Sequence, residues 1–518
     1  MKNLRCVHSI IAFLFAILLT VLASARATPA GQKPQIRFAT PVAYDSGGLA
    51  ADSVAIANLR GNGKLDLVVA NKWQGDNSAA GTVSVLLGNG DGTFQTAVTY
   101  NTGAYYAESV SVGDLRGNGI PDLVVANDCL NLNQNGNCTG IGAVSVLPGN
   151  GDGTFQPAVV YSTGAYGGAS IAIGDLRGDG ILDLAVEACG PDCPIGSASV
   201  LLGNGDGTFQ PAVNYSSGGI VGNSVAVADL TGDGIPDLVV TNACQSGSCQ
   251  ADGTAGVLLG NGDGTFQPVA LYDSGGNRSN SVAVGDLRGE GILDIVVASG
   301  YYDNIVGVLL GNGDGTFQSP VTYVLEGILY DAVAITDLNG DGVPDLAVTN
   351  GCAKIKAGAC VGDATVSVLP GNGDGTFQSP IKYNSGGSSV GAIAVGDLNG
   401  DGRPDLVVTI CQNASCDTVA VLLNETSYKS KTALTSSPNP SQVNQSVIFT
   451  ATVTPTPPNG EVVDFYNGKT SLGTGTTANG VASLTTSFSK AGKYTIKASY
   501  PGDAFRKPSS GTVKQVVN

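Results

Sequence analysis

The stretch Asp337-Leu338-Asn339-Gly340-Asp341-Gly342-Val343-Pro344-Asp345 decides how this chain is read. Close copies of it begin at Asn58, Asp114, Asp175, Asp229, Asp286, Asp337 and Asp397, 51 to 61 residues apart. Acidic or amide side chains at alternate positions, then glycine, then aspartate, are what a compact oxygen cage for Ca²⁺ requires. Positions one, three, five and nine offer side-chain oxygens, position seven its carbonyl, and the glycine at six makes the sharp turn. A unit repeated at this period buries its apolar face only by stacking on its neighbours. The seven copies therefore indicate one closed repeat architecture, not seven domains.

Around each loop the sequence repeats in the same order. A short alternating strand such as Ser281-Val282-Ala283-Val284 enters it, and a β-branched apolar run such as Leu238-Val239-Val240 leaves it. Runs apolar on both faces suit strands sandwiched between sheets. A third strand, as at Val83–Leu87, leads into the octet Gly88-Asn89-Gly90-Asp91-Gly92-Thr93-Phe94-Gln95, and a fourth strand ends near Tyr100. The octet recurs from Gly149, Gly203, Gly260, Gly311 and Gly371, and its Asn-Gly and Asp-Gly pairs are hairpin signals. Six octets accompany seven acidic loops, because the strand Val419–Leu423 stops at Asn424 without one. The segment Phe38-Ala39-Thr40-Pro41-Val42-Ala43-Tyr44 matches the strand that elsewhere follows the octet, as in Phe209–Tyr215. The N-terminal segment is thus expected to complete the last unit. The fold class expected is all-β, a seven-bladed β-propeller closed by strand exchange between its ends, which removes exposed sheet edges.

These loops and octets resemble the FG-GAP/VCBS repeat family, whose best-known members are the propellers of integrin α-subunits; the resemblance covers Ile36–Glu425. From Tyr428 the composition changes: cysteine and acidic loops stop, and a Thr/Ser/Pro-rich entry appears at Thr432–Pro440. Alternating segments at Val447–Val453, Glu461–Tyr466, Val481–Phe488 and Tyr494–Ser499 indicate a small β-sandwich over residues 428–518. Ser437-Pro438-Asn439-Pro440-Ser441 and Ala498-Ser499-Tyr500-Pro501-Gly502-Asp503-Ala504-Phe505 resemble bacterial Ig-like repeat domains, with Tyr494 placed like a tyrosine corner.

The seven loops differ in chemistry. Asp337, Asn339, Asp341, Val343 and Asp345, and likewise Asp397, Asn399, Asp401, Arg403 and Asp405, supply the full set that the family pattern asks for, with Val343 and Arg403 giving carbonyls. Asp229, Thr231, Asp233, Ile235 and Asp237 follow with a threonine at position three. The other four loops put arginine there: Arg60, Arg116, Arg177 and Arg288. A guanidinium has no lone pair for a cation. Weaker metal candidates are therefore Asp175, Asp179 and Asp183; Asp114, Asn118 and Asp122; and Asp286, Glu290 and Asp294. The first loop, with Asn58 and Asn62, is expected to hold no metal. Two readings of the arginines stand open. Each swings into solvent and leaves the ion one water ligand, or each pairs with the loop carboxylates in the ion's place. Where calcium is held, it is expected to be structural.

Residues 1–27 read as a secretory signal peptide, with Lys2 and Arg5 before the apolar run Val7–Leu22 and small residues at Ala23–Ala27. No membrane insertion is expected. Of eleven cysteines, Cys6 lies in that leader. The rest form local pairs: Cys129/Cys138, Cys189/Cys193, Cys244/Cys249, Cys352/Cys360 and Cys411/Cys416, read as disulfides of an exported protein. The single histidine, His8, also leaves with the leader, which excludes Ser-His-Asp catalysis and histidine-held metals. The remaining 22 basic and 42 acidic residues exclude nucleic acid as a partner.

Antiparallel alternation puts acidic loops and octets on one rim and cysteine loops on the other. The second rim varies most in length, and variable loops on a rigid scaffold carry recognition. It also gathers Trp73, Tyr105, Tyr106, Tyr166, Tyr301, Tyr302 and Tyr330 as candidates for a ligand face. The function expected is extracellular binding or adhesion by a secreted or surface-held monomer, with a carbohydrate or protein ligand and no catalytic residues. The alternatives are a polysaccharide lyase or hydrolase on a propeller scaffold, and a purely structural matrix component.

Overall fold

The computed structural model describes residues 35–518 except 76–78, 134–137, 139, 190–194, 246–252, 301–303, 326–331, 352–353, 357–358 and 413–414. The leader, Cys193, Cys249, Cys352, Tyr301, Tyr302 and Tyr330, with the side chains of Cys189 and Cys360, lie outside that description. Every named element is a β-strand. Contacts divide the described chain into two units, Gln35–Thr426 and Ser427–Asn518.

In the first unit each acidic loop joins two antiparallel strands and each octet joins the next two. The first repeat pairs Leu49–Ala57 with Asp66–Trp73, then Ala80–Leu86, then the start of Val98–Gly113. That last strand is 16 residues long, and its second half becomes the first strand of the next repeat, against Asp122–Cys129. Val159–Gly174 and Val213–Ala228 do the same, so four repeats run on as one 13-stranded sheet ending at Ala270–Asp273. The fifth and sixth repeats are separate four-stranded sheets. Bulges in the long strands, as between Ala107 and Ser109, accompany the change from one repeat to the next.

The last sheet consists of Ser389–Gly396, Asp405–Gln412, Ser415–Leu422 and the N-terminal strand Val42–Asp45. Val42 faces Val421 and Asp45 faces Thr418. Phe38 bridges Asn424 as Phe94 bridges Gly88. The amide of Ala39 donates to Leu423 O at 2.8 Å, as that of Gln95 donates to Leu87 O. Phe38 also meets Tyr383 edge-to-face at 5.0 Å, the contact that Phe155 makes with Tyr100 at 5.7 Å. The N-terminal segment therefore supplies both the octet's phenylalanine and the fourth strand that the seventh repeat lacks.

The core lies between successive sheets. Val68, Val83, Val85, Val110, Leu123 and Val125 form one cluster shared by the first two repeats. Val54, Leu67, Val69 and Leu86 form another with Leu398, Val407, Val419 and Val421, so first and last repeats pack together and the series closes on itself. The first strands of neighbouring repeats are also linked. Ser53, Ser109, Ser170, Ser224 and Ser281 each accept an amide from the next repeat at 3.2–3.4 Å.

In the second unit Lys431–Ser437, Ser446–Thr454 and Val481–Ser487 form one sheet; Thr470–Thr476, Val462–Asn467, Gly492–Tyr500 and Ser509–Val517 form the other. Alternating burial along Ser446–Thr454 turns Val447, Phe449, Ala451 and Val453 onto Val463, Phe465, Ile496 and Ala498. The Tyr494 hydroxyl donates to Lys490 O at 2.8 Å, the return contact of a tyrosine corner.

Candidate functional site

The aspartate at position nine of each acidic loop is buried: Asp66, Asp122, Asp183, Asp237, Asp294, Asp345 and Asp405 are at most 2% exposed. One carboxylate oxygen accepts the amide of the leucine at position two, from Leu59 to Leu398, at 2.9–3.2 Å. The other accepts the amide of the octet's first glycine, or of Asn424 in the seventh repeat, at 2.7–2.9 Å. Such bonds to a charged acceptor are strong, and they tie acidic loop to hairpin on one rim. The aspartate at position one caps its own loop: Asp337 accepts the amides of Gly340 and Gly342 at 2.6 and 2.7 Å.

The four arginines do not swing into solvent. Nη2 of Arg60, Arg116, Arg177 and Arg288 lies 2.5–2.8 Å from the position-nine aspartate of its own loop. The same nitrogen donates to the carbonyl of Gly88, Gly149, Gly203 or Gly311 at 2.7–2.8 Å. Where position five is acidic the guanidinium reaches that too, Arg177 Nη1 to Asp179 at 3.2 Å and Arg288 Nη1 to Glu290 at 2.6 Å. The following repeat lies over the arginine stem. Gly207, at φ 85°, sits so close to Arg116 that a Cβ would fall 3.0 Å from its Cγ.

The loops at Asp229, Asp337 and Asp397 have no such cation on position nine. Burial, with the charges of Asp341 and Asp337 adding to it, pushes Asp345 up to about 7 against the amides that bond it. Burial does the same to Asp405, up to about 6, with Asp401 and Asp397 contributing. Asp237 is raised by burial and by Asp233 and Asp229. Three carboxylates in one loop with oxygen donors alone suit a hard divalent cation, and these loops fit one by donor chemistry. Among the described residues, however, no three His, Cys, Asp or Glu side chains converge closely enough to cage a metal; the carboxylates are turned to backbone amides. The loop at Asp397 has one feature that its ligand set did not announce. The Arg403 side chain pairs with Asp401 and also donates to Thr426 O at 3.4 Å.

On the opposite rim Cys129 is bonded to Cys138 and Cys411 to Cys416; Cys244 is also in a disulfide. Tyr105 and Tyr166 take equivalent places beside Cys129 and Cys189, where the long strands pass from one repeat to the next. Trp73 ends its strand opposite Leu49. Trp73 and Tyr166 are exposed, Tyr105 and Tyr106 half-buried.

The sequence reading missed a charged cluster drawn from the first two repeats. Lys72 Nζ lies 2.9 Å from Glu108 and 3.4 Å from Asp52. Burial, then the charge of Asp52, raises the Glu108 carboxyl; the two carboxylates, against burial, raise the Lys72 ammonium. The available signal was a lysine at a position where no other repeat has a basic residue, as at Ala243 and Gly300, facing acids where several repeats carry Ala, Asn or Gly, as at Ala169, Asn280 and Gly391.

An FG-GAP-like repeat model matches residues 58–125, 127–186, 189–240, 247–297, 289–348 and 359–408, and a bacterial Ig-like domain (group 3) model matches 434–518. Integrin alpha-V of Gallus gallus is 28% identical over 214 residues, 37% of this chain and 21% of that protein. Integrin alpha-PS5 of Drosophila melanogaster is 35% identical over 109 residues, 20% of this chain and 10% of that protein. The chain thus spans about a fifth or less of these relatives. Among solved structures, the exotype rhamnogalacturonan lyase YesX aligns at TM-score 0.43 and 15% identity, covering 76% of this chain and 75% of that one.

Proposed function

The chain belongs to the FG-GAP-like repeat family and ends in a bacterial Ig-like domain, and from that premise we propose that it is a secreted, calcium-stabilised binding or adhesion protein. Its four-strand sets are the blades of a seven-bladed propeller. Its ligand is a carbohydrate or protein outside the cell. The observation that carries this reading is the contrast between rims. One is pinned repeat after repeat by buried aspartates. The other varies in length, is stapled by disulfides and presents Trp73, Tyr105, Tyr106 and Tyr166. Aromatic rings on a rigid rim suit sugar rings and protein hot spots alike. Disulfides favour an oxidising compartment. No helix of the described residues is long and apolar enough to cross a membrane.

Calcium, where bound, supplies charge neutralisation and cross-linking of one loop. Asp229, Thr231, Asp233 and Asp237, Asp337, Asn339, Asp341 and Asp345, and Asp397, Asn399, Asp401 and Asp405 are the side chains that would hold it. A second reading, a polysaccharide lyase or hydrolase, draws on Lys72 between Asp52 and Glu108, an ionisable group of the kind that acid–base chemistry uses. A panel of immobilised polysaccharides and matrix proteins, probed with the full chain, tests both. Saturable, competable binding without turnover supports adhesion. Turnover lost in Glu108→Gln supports the enzyme. Neither, across the panel, leaves a structural role.

A further inference from the structure

We infer that Arg60, Arg116, Arg177 and Arg288 are built-in counter-cations that replace the metal in four of the seven acidic loops, so that the ring is calcium-dependent in three repeats only. This rests on the calcium reading of the loops at Asp229, Asp337 and Asp397. The side chains at positions five and nine are among those that would hold a divalent ion in such a loop, which would offset their charge. In the third repeat Arg177 already does so, with Nη1 on Asp179 and Nη2 on Asp183. In the fifth, Arg288 spans Glu290 and Asp294 in the same way. In the first two repeats position five is Asn62 or Asn118, and the guanidinium keeps the position-nine aspartate and the octet carbonyl. Loops with arginine at position three carry one, two, three and three acids in chain order, whereas the three loops without arginine there carry three each.

The exchange is electrostatically sensible. Position nine is almost wholly buried in every repeat, so its charge needs a partner. A planar guanidinium delivers two donors to a carboxylate at once. The side chain is also held from outside, since the next octet covers its stem; Gly264 approaches Arg177 Cγ as Gly207 approaches Arg116. The neighbouring hairpin thus limits how far the arginine stem can shift within its loop.

The test is calcium stoichiometry of the dialysed full-length chain by equilibrium dialysis, compared with Arg177→Asn and Arg288→Asn. The first substitution converts Asp175, Arg177, Asp179 and Asp183 into the donor types found at Asp337–Asp345. The wild type should bind about three equivalents, one for each loop without arginine at position three. Each variant should bind one more, melt below the wild type in chelator, and recover when calcium is restored. Arg177→Lys, which keeps the charge but not the fork, should gain no equivalent. About seven equivalents for the wild type, or no gain in both asparagine variants, would overturn the exchange while leaving the calcium reading intact. No calcium in wild type or variants would overturn the calcium reading itself, and the exchange with it.

Discussion

At the scale of single residues, Glu187 is a carboxyl buried without a counter-charge. It stands where other repeats have Ala70, Ala126 or Thr241, and it is 1% exposed with Oε1 unpartnered. It presses on Gly222, where a Cβ would fall 1.9 Å from that oxygen. Burial pushes its carboxyl from 4.5 up to about 8. The raised value sets the sign. Below about 4.5 the group is neutral folded and unfolded and its contribution is fully present; between about 4.5 and 8 the unfolded chain ionises first and stability is lost. At pH 7 the loss is on the order of 3 kcal/mol. Glu187→Gln should therefore melt higher than the parent by a margin that grows from pH 4.5 to 8, read by thermal scans across that range. A margin independent of pH would show that Glu187 is not the titrating group. The sequence displayed Glu187 plainly, but only neighbours distant in the chain determine that it is buried. The same holds for the arginines: composition excluded them as ligands, yet whether they turn in or out is decided by the next repeat's hairpin.

Among the elements, the strand Val42–Asp45 has the most consequence. Both its pairing with Ser415–Leu422 and the placing of Phe38 were readable, because an absent octet at one end and an unmatched Phe–Tyr segment at the other are complementary losses. The pairing is reinforced by Tyr383, whose hydroxyl donates to Ile36 O at 2.6 Å. A chain lacking residues 1–45 should expose the edge of Ser415–Leu422, melt lower and aggregate, and a peptide spanning residues 35–46 should restore it. An unchanged melting temperature would refute closure by this strand. The serines that link successive first strands were not recognised as links, because a serine before an apolar run looks the same whether its hydroxyl meets water or the next repeat. Disulfides act at this scale as well. Cys411 and Cys416 are five apart, and closing so short a loop stabilises by about 2 kcal/mol. Cys411→Ser with Cys416→Ser should lower stability by about that amount in denaturant titrations, and an unaltered midpoint would show the bond to be incidental.

For the whole molecule, repeat period and turn chemistry made the all-β class, the order of strands and the Ig-like end legible, since they recur or alternate along the chain. The two rims were separable for the same reason. What function depends on is less repetitive. The cluster of Lys72, Asp52 and Glu108 is brought together from three strands and carries no motif. Trp73, Tyr105 and Tyr166 could be named in advance, but the equivalent placement of Tyr105 and Tyr166 opposite Cys129 and Cys189 comes from the register of pairing. The claim that the chain binds through this rim and does not turn its ligand over is tested most directly by one binding isotherm. It compares the wild type with Trp73→Ala/Tyr105→Ala/Tyr166→Ala on the panel member that the wild type holds, with product release assayed in the same wells. The expected result is saturable wild-type binding without product, weakened at least tenfold in the triple variant at unchanged melting temperature. Full-strength binding by the triple variant, or release of product that Glu108→Gln abolishes, would contradict it.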